Sequence, residues 1–156
     1  MIESLKALFA EWKETRGTTL AFLNELSDAD LDKKLPRKKL NTIRLQAHEL
    51  TLFQRDVVNS LGTSALAYEE EYHYENLPTK DIIERMSELD AQLEKKLESL
   101  SGAEIMEYYG EQRNVHQIIA LLIWHEAMHI GQIIAFCYAT GIKIPESIVE
   151  ILALEG

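Results

Sequence analysis

Apolar side chains recur at steps of three and four along much of the sequence, which is the pattern of helices with one buried face. The first such stripe covers residues 2–25. Gly17 interrupts it and costs the helix about 1 kcal/mol relative to alanine, which a long stripe tolerates. A second stripe follows a cap at Asn41 or Thr42 and extends to about Leu61, where Gly62 ends it.

Two further long helices are predicted in the second half of the chain. The third begins at Thr79, carries a charged outer face and closes at Gly102. The fourth opens at Asn114, which forms a capping-box pattern with Gln117, and runs to about Thr140. The start of this helix is therefore predicted by a capping signal that does not depend on its apolar content.

The remaining segments connect these helices. Residues 27–40, 63–78 and 101–113 are polar or irregular connections, the last of them briefly extended, and no stretch alternates as strands do. Gly141 and Pro145 follow the fourth helix, and Pro145 can start a short terminal helix to Leu154. With 7 Gly and 3 Pro, the chain is predicted to be all-α: four long helices and a short C-terminal helix in one domain over 1–156.

Charge and cysteine content narrow the class of protein. The formal net charge of -10 argues against nucleic-acid binding, which requires a basic surface. The segment KKLPRKKLNTIR at residues 33–44 holds six of the sixteen Lys and Arg, and is either a solvated loop or a place for a small anionic molecule. With one cysteine, no signal pattern and no long apolar run, we expect a soluble cytoplasmic protein without a membrane segment.

The candidate chemistry lies on the fourth helix. Glu126 is the only charged residue from Val115 to Thr140, so the helix is predicted to be central and buried on all sides. His125 and His129 are four residues apart and differ by only about 40° around the helix axis. Two buried imidazoles on one row need a shared partner, and a divalent metal satisfies both nitrogen lone pairs.

A third ligand is predicted on the second helix, where His48 in LQAHEL lies on or beside an apolar face. Taken alone, His48 would be a boundary residue with one edge in solvent. With His125 and His129 it makes three imidazoles on two long helices, an arrangement that leaves coordination positions open for Zn, Ni, Fe or Cu. His73 and His116 are weaker candidates and are expected to be solvated.

The motif HEAMH also fits the H-E-x-x-H pattern of zinc peptidases, in which Glu126 would be the general base. Glu146 could then supply the third ligand. The chain offers no strand that would hold a peptide substrate, and Glu126 points about 80° away from the two histidines. A peptidase is therefore the less favoured interpretation.

The segments WKETR, NTIRLQAHEL and YGEQRNVHQIIALLIWHEAMHIGQI, with the Gly-then-Pro ending, resemble the DinB-like superfamily over nearly the whole chain. The resemblance implies an up-down-down-up four-helix bundle and a metal triad at His48, His125 and His129. It also implies homodimers, and activities such as bacillithiol-dependent S-transfer or mycothiol-dependent isomerisation in which the metal activates the thiol.

Five other residues are candidates near the site. Arg16 falls on the buried stripe of the first helix, where it would either bind an anionic substrate or extend past the stripe to solvent. Tyr108, Tyr109 and Arg113 precede the metal helix and could rim a pocket. Cys137 is two turns past His129 and is expected to be an inert core residue.

Three functions remain open at this point. The first is a metal-dependent thiol S-transferase that takes a small-molecule substrate and contains Zn, Ni or Fe. The second is a hydrolase that uses metal-bound hydroxide, with Glu126 as its base. The third is a non-catalytic metal-binding helical dimer.

Overall fold

The computed structural model describes residues 1–67 and 77–154, which are mostly helical, so the predicted all-α character is confirmed. His73 lies outside these residues. The elements are α1 (Glu3–Glu25), α2 (Asp28–Leu31), α3 (Ile43–Ser60), α4 (Thr79–Glu98), β1 (Ile105–Tyr108), β2 (Glu111–Asn114), α5 (Val115–Thr140) and α6 (Glu146–Ile151).

Helices α3 and α5 begin at predicted capping residues, and α5 also ends at one, whereas α4 ends at Glu98, before the predicted stop at Gly102. At the start of α3, the Thr42 hydroxyl accepts a hydrogen bond of 3.1 Å from the Leu45 amide. Asn114 and Gln117 form the reciprocal capping box of α5, and Gly141 ends that helix in the left-handed conformation with φ of 67°. These signals are local, which is why the sequence alone predicts them.

Residues 103–113 form a small sheet rather than an irregular connection. Strands β1 and β2 pair in antiparallel fashion around a turn at Tyr109 and Gly110, both of which have positive φ. The backbone of Glu107 also pairs with the segment after α3, since its carbonyl accepts a 2.8 Å hydrogen bond from Leu66. Met106 is the one fully buried side chain of the two strands, so the sequence carries no alternation that would predict them.

The long helices pack through two separate apolar clusters. Helix α1 packs against α5 and α4, and α3 packs against α4 and α5. The first apolar cluster includes Trp12, Phe53, Leu97 and Ile118. The second apolar cluster includes Phe22, Leu50, Met86 and Phe136. Helices α1 and α5 therefore run from the first cluster to the second, whereas α3 and α4 run in the opposite direction.

Buried or half-buried polar side chains occupy the middle turns of α1 and α5 and the facing side of α3. On α1 and α5 they lie between the residues that supply the two apolar clusters. We call this set the polar layer; its members are Arg16, Thr19, Gln46, Glu49, Gln54, His125, Glu126 and His129.

One face of α5 is exposed, so the prediction that this helix is buried on all sides is wrong. Trp124 is 60% exposed and Tyr138 is 61% exposed. Between them, Ala127, Gly131 and Ala135 continue the same exposed stripe at steps of three and four. An uncharged helix face has the composition of a protein interior. A surface that another molecule covers can have the same composition, so composition alone does not predict burial. We call these five residues the α5 stripe.

By length and composition, α5 is the one helix in the described ranges that could cross a membrane. It nevertheless packs against α1 and α3, and its middle turn buries Glu126 and His129 against polar partners on those helices. These contacts are those of a helix that packs within the helical core of the fold.

Candidate metal centre

The structure brings together three side chains whose ligand atoms all lie within 4.8 Å of one another: Glu49 from α3, and His125 and His129 from α5. The two histidines are one helical turn apart, and their ring centroids are separated by 4.8 Å. Both were predicted to face the interior, and they do: His129 is buried and His125 is half-buried. The spacing on α5 thus delivers two imidazoles to one carboxylate on the adjacent helix.

Each carboxylate oxygen of Glu49 faces one imidazole nitrogen. Glu49 Oε1 lies 3.3 Å from His125 Nε2, and Glu49 Oε2 lies 2.9 Å from His129 Nε2. The outer sides of the rings contact α3 as well, since Phe53 stacks on His125 at 4.0 Å and Gln46 Oε1 lies 3.3 Å from His129 Nδ1. Helix α3 therefore contacts both imidazoles on more than one side.

The carboxyl group of Glu49 is held in its charged form. Burial raises the pKa of this carboxyl group. Hydrogen bonds and charge interactions with His125 and His129 lower it by more, so that the net pKa is about 2. A buried carboxylate next to two imidazole nitrogens is a negatively charged ligand set, which favours a cation at their meeting point.

The donor set fits a divalent metal. Ligand atoms about 2.1 Å from a metal and about 90–109° apart lie about 3.0–3.4 Å from each other. The two nitrogen–oxygen separations of 2.9 and 3.3 Å come close to this range. Two histidines and one carboxylate are a ligand set of catalytic zinc sites and of non-haem iron sites, both of which keep positions open for substrate or water.

His48 is not a member of this group, although it is buried and directly precedes Glu49. Neighbouring residues on a helix point about 100° apart, so the side chains of His48 and Glu49 leave α3 in different directions. The sequence signal for Glu49 was present in LQAHEL, but a glutamate next to a histidine does not stand out in a chain with 26 acidic residues.

The two candidate catalytic residues, Arg16 and Glu126, contact each other. Arg16 is 2% exposed and Glu126 is 1% exposed, and Arg16 Nη2 lies 3.2 Å from Glu126 Oε2. Thr19 donates a 2.6 Å hydrogen bond to the other oxygen of Glu126. Gln54 Oε1 accepts a 2.9 Å hydrogen bond from Arg16, whose guanidinium also stacks on Trp12. Arg16 therefore does not extend to solvent, and both oxygens of Glu126 are engaged.

The other candidate residues lie apart from the metal ligands. Tyr108 and Arg113 stack on each other and line a surface groove of about 640 Å³ together with Trp124. Tyr109 is exposed at the hairpin turn. Glu146 is exposed and lies 3.9 Å from Lys143, so it is not the third ligand that the peptidase interpretation requires.

Two further side chains can be placed. His116, expected to be solvated, is half-buried and lies 2.8 Å from the Ser4 hydroxyl. Cys137 is buried, and burial raises the pKa of its thiol to about 11, as expected for an inert core residue.

The basic segment at residues 33–44 divides into a structural and an exposed part. Arg44 is buried and forms 2.7 Å ion pairs with Asp28 and Asp32. The other five cationic side chains are exposed on the loop before α3. Among these, Arg37 Nη1 donates a 3.4 Å hydrogen bond to Gln132 of α5, so the basic loop lies against the helix turn that follows His129.

A protein-family model matches most of the sequence. Residues 11–133 match the model of a protein family described as the DinB superfamily, and this range contains all three members of the ligand group. No curated protein matches the sequence significantly.

Proposed function

Because the chain belongs to the DinB superfamily, we propose that it is a metal-dependent enzyme whose divalent ion is held between α3 and α5. The observation that carries this proposal is the meeting of Glu49, His125 and His129 within 4.8 Å in a largely buried layer. The reaction we favour is S-transfer from a low-molecular-weight thiol of the bacillithiol type to a small electrophilic substrate.

The metal would supply one kind of chemistry, namely lowering the pKa of a bound thiol or water so that it is deprotonated near neutral pH. The protein side chains supply the rest. Glu49 contributes negative charge that balances the ion, and the two imidazoles hold it at a fixed depth in the polar layer. Phe53 packs over His125 and keeps water from one side of that ring.

Two surfaces lie along the turns of α5 before and after the ligands, although neither is lined by a ligand itself. The groove lined by Tyr108, Arg113 and Trp124 also includes Leu121, which precedes His125 by one helical turn. On the other side, the basic loop reaches α5 through Arg37. We propose that the groove receives the apolar part of the substrate, and that the loop attracts an anionic group.

The proposal is tested by metal analysis followed by assay. Protein purified without chelators and loaded in turn with Zn, Ni and Fe would be assayed with bacillithiol and monochlorobimane. We expect a metal-dependent rate that is lost in His129→Ala. The absence of any metal-dependent rate across the three metals would refute the transferase, and the absence of bound metal would refute the metal centre.

The third ligand needs its own comparison. We propose Glu49 in this role, whereas the tri-histidine set with His48 stays the prediction from the sequence. Glu49→Gln and His48→Ala should therefore differ: the first should lose metal and the second should keep most of it. The opposite result would favour the tri-histidine set.

A hydrolase is a second candidate, because two histidines and a glutamate also hold zinc in hydrolytic enzymes. The ion pair with Arg16 argues against Glu126 as its base. Metal-loaded Glu126→Gln should accordingly keep any hydrolytic activity that the folded protein has. Loss of that activity with unchanged metal affinity would instead support Glu126 as the base.

We also propose an assembly, a helix arrangement and a location. The opposite directions of α1/α5 and α3/α4 support an up-down-down-up four-helix bundle. The uncharged α5 stripe supports a homodimer through this face. Trp124→Glu should then give monomers in light scattering, whereas the exposed Tyr109→Glu should not; an unchanged dimer would refute this face. A lone buried cysteine agrees with a cytoplasmic location.

A further inference from the structure

Gln46 is a fully buried residue of α3 that contacts a candidate metal ligand from behind. Its Oε1 atom lies 3.3 Å from His129 Nδ1, on the side of the ring opposite Glu49. Gln46 and Glu49 are three residues apart, so they lie on the same face of α3, one turn from each other. One helix face thus contacts both nitrogens of the same imidazole.

The contact with Gln46 bears on where the proton of His129 lies. Gln46 directs its amide oxygen at Nδ1, and because an oxygen can only accept a hydrogen bond, this contact requires the proton on Nδ1. In the neutral ring the lone pair is then on Nε2, which faces Glu49 at 2.9 Å. A nitrogen lone pair and a carboxylate oxygen at this distance repel each other, so the contact requires either a metal ion between them or a second proton, on Nε2.

His125 has no such support. Its Nδ1 atom is buried and has no hydrogen-bond partner within the part of the chain that the structure describes. Its ring is held by stacking on Phe53. Both histidines face Glu49 through Nε2, but their other sides are held differently: His129 has a polar contact at Nδ1, whereas the ring of His125 packs on Phe53.

We infer that Gln46 is a positioning residue, an inference that rests on the proposed metal centre. It holds His129 with the proton on Nδ1 and with Nε2 directed at the ion, which makes His129 the fixed ligand of the pair. His125, which lacks an equivalent hydrogen bond, is the ligand that can adjust when a substrate enters. Hydrogen-bond partners of this kind typically change metal affinity by about 10- to 100-fold.

The chain offers a matched control. Gln54 is on the same helix and is also fully buried, but it contacts Arg16 and Asp90 instead of a candidate ligand. Gln46→Leu and Gln54→Leu therefore remove the same group at the same depth. Both should lower stability in the metal-free protein, but only Gln46→Leu should lower metal affinity.

The experiment measures Zn²⁺ and Ni²⁺ affinity by competition with a chromophoric chelator, for wild type, Gln46→Leu, Gln46→Glu and Gln54→Leu. We expect a 10- to 100-fold loss for Gln46→Leu. Gln46→Glu keeps an acceptor oxygen and should restore at least the wild-type affinity. Imidazole ¹⁵N NMR at alkaline pH should show the Nδ1-protonated tautomer of His129 in wild type and a mixture in Gln46→Leu.

The outcomes separate this inference from the proposed function. If wild type binds metal and Gln46→Leu binds it equally well, the positioning role is refuted while the metal centre stands. Equal losses in Gln46→Leu and Gln54→Leu would also refute it, because the effect would then be general destabilisation. If wild type binds no metal, the proposed function fails and the positioning role fails with it.

Discussion

The buried pair between Arg16 and Glu126 permits a quantitative prediction. Replacing Arg16 by methionine removes the charge that lies 3.2 Å from Glu126. Among the described residues, this 1% exposed carboxylate then keeps the Thr19 hydroxyl as its hydrogen-bond donor. Breaking one partner of a buried ion pair typically costs about 3–5 kcal/mol. Since domains of this kind are stable by about 5–15 kcal/mol, the variant should be close to unfolding.

The assay is urea unfolding of metal-free protein followed by far-UV circular dichroism, on Arg16→Met, Glu126→Gln and the double variant. Removing both charges leaves no unpaired charge in the interior. The double variant should therefore lose less stability than the two single losses added together. Coupling between contacting residues is typically about 0.5–3 kcal/mol, and we expect the upper half of that range.

A matched surface pair provides the control. Lys6 and Glu3 are 2.6 Å apart but largely exposed, and exposed ion pairs contribute little to stability. Lys6→Met should therefore have little effect. A loss below about 1 kcal/mol for Arg16→Met, or strict additivity in the double variant, would refute the view that Glu126 is a structural partner of Arg16.

Two other predictions follow from single residues. Because the pKa of Glu49 is lowered from 4.5 to about 2, its contribution to stability should be complete above pH 4.5 and lost as the pH falls through 2. Glu49→Gln should flatten this part of a plot of urea midpoint against pH, and an unchanged slope would contradict the assignment. Gly102 has φ of 87°, and an added Cβ would lie 2.7 Å from Ile2, so Gly102→Ala should destabilise by about 1–3 kcal/mol. Gly17→Ala, on an open helical position, should instead stabilise by about 1 kcal/mol, and equal thermal midpoints for the two variants would be the opposing result.

The sequence predicts the helices well because their signals are local. Caps at Thr42, Asn114 and Gly141 mark helix ends without reference to the rest of the fold. The spacing of His125 and His129 also predicts a shared environment, since one turn of helix is a fixed distance.

The remaining features depend on tertiary structure. Most residues of α3 are buried, including both His48 and Glu49, so no apolar face on this helix singles out Glu49 as a residue that meets α5. The partnership of Arg16 with Glu126 joins residues 110 positions apart and leaves no pattern in the sequence. The sequence does not predict the exposed face of α5, because an uncharged and largely apolar composition does not distinguish a buried helix face from an exposed one.

The separation of the interior into two apolar clusters has a consequence for how the molecule opens. Each end of the protein holds its own set of interlocking side chains, and the middle turns are joined to a large extent by hydrogen bonds and charges. Such halves can exchange their amide protons as separate cooperative units. An ion bound between α3 and α5 in the polar layer would link the two apolar clusters. Amide exchange should then slow in both clusters, although the ion contacts neither of them.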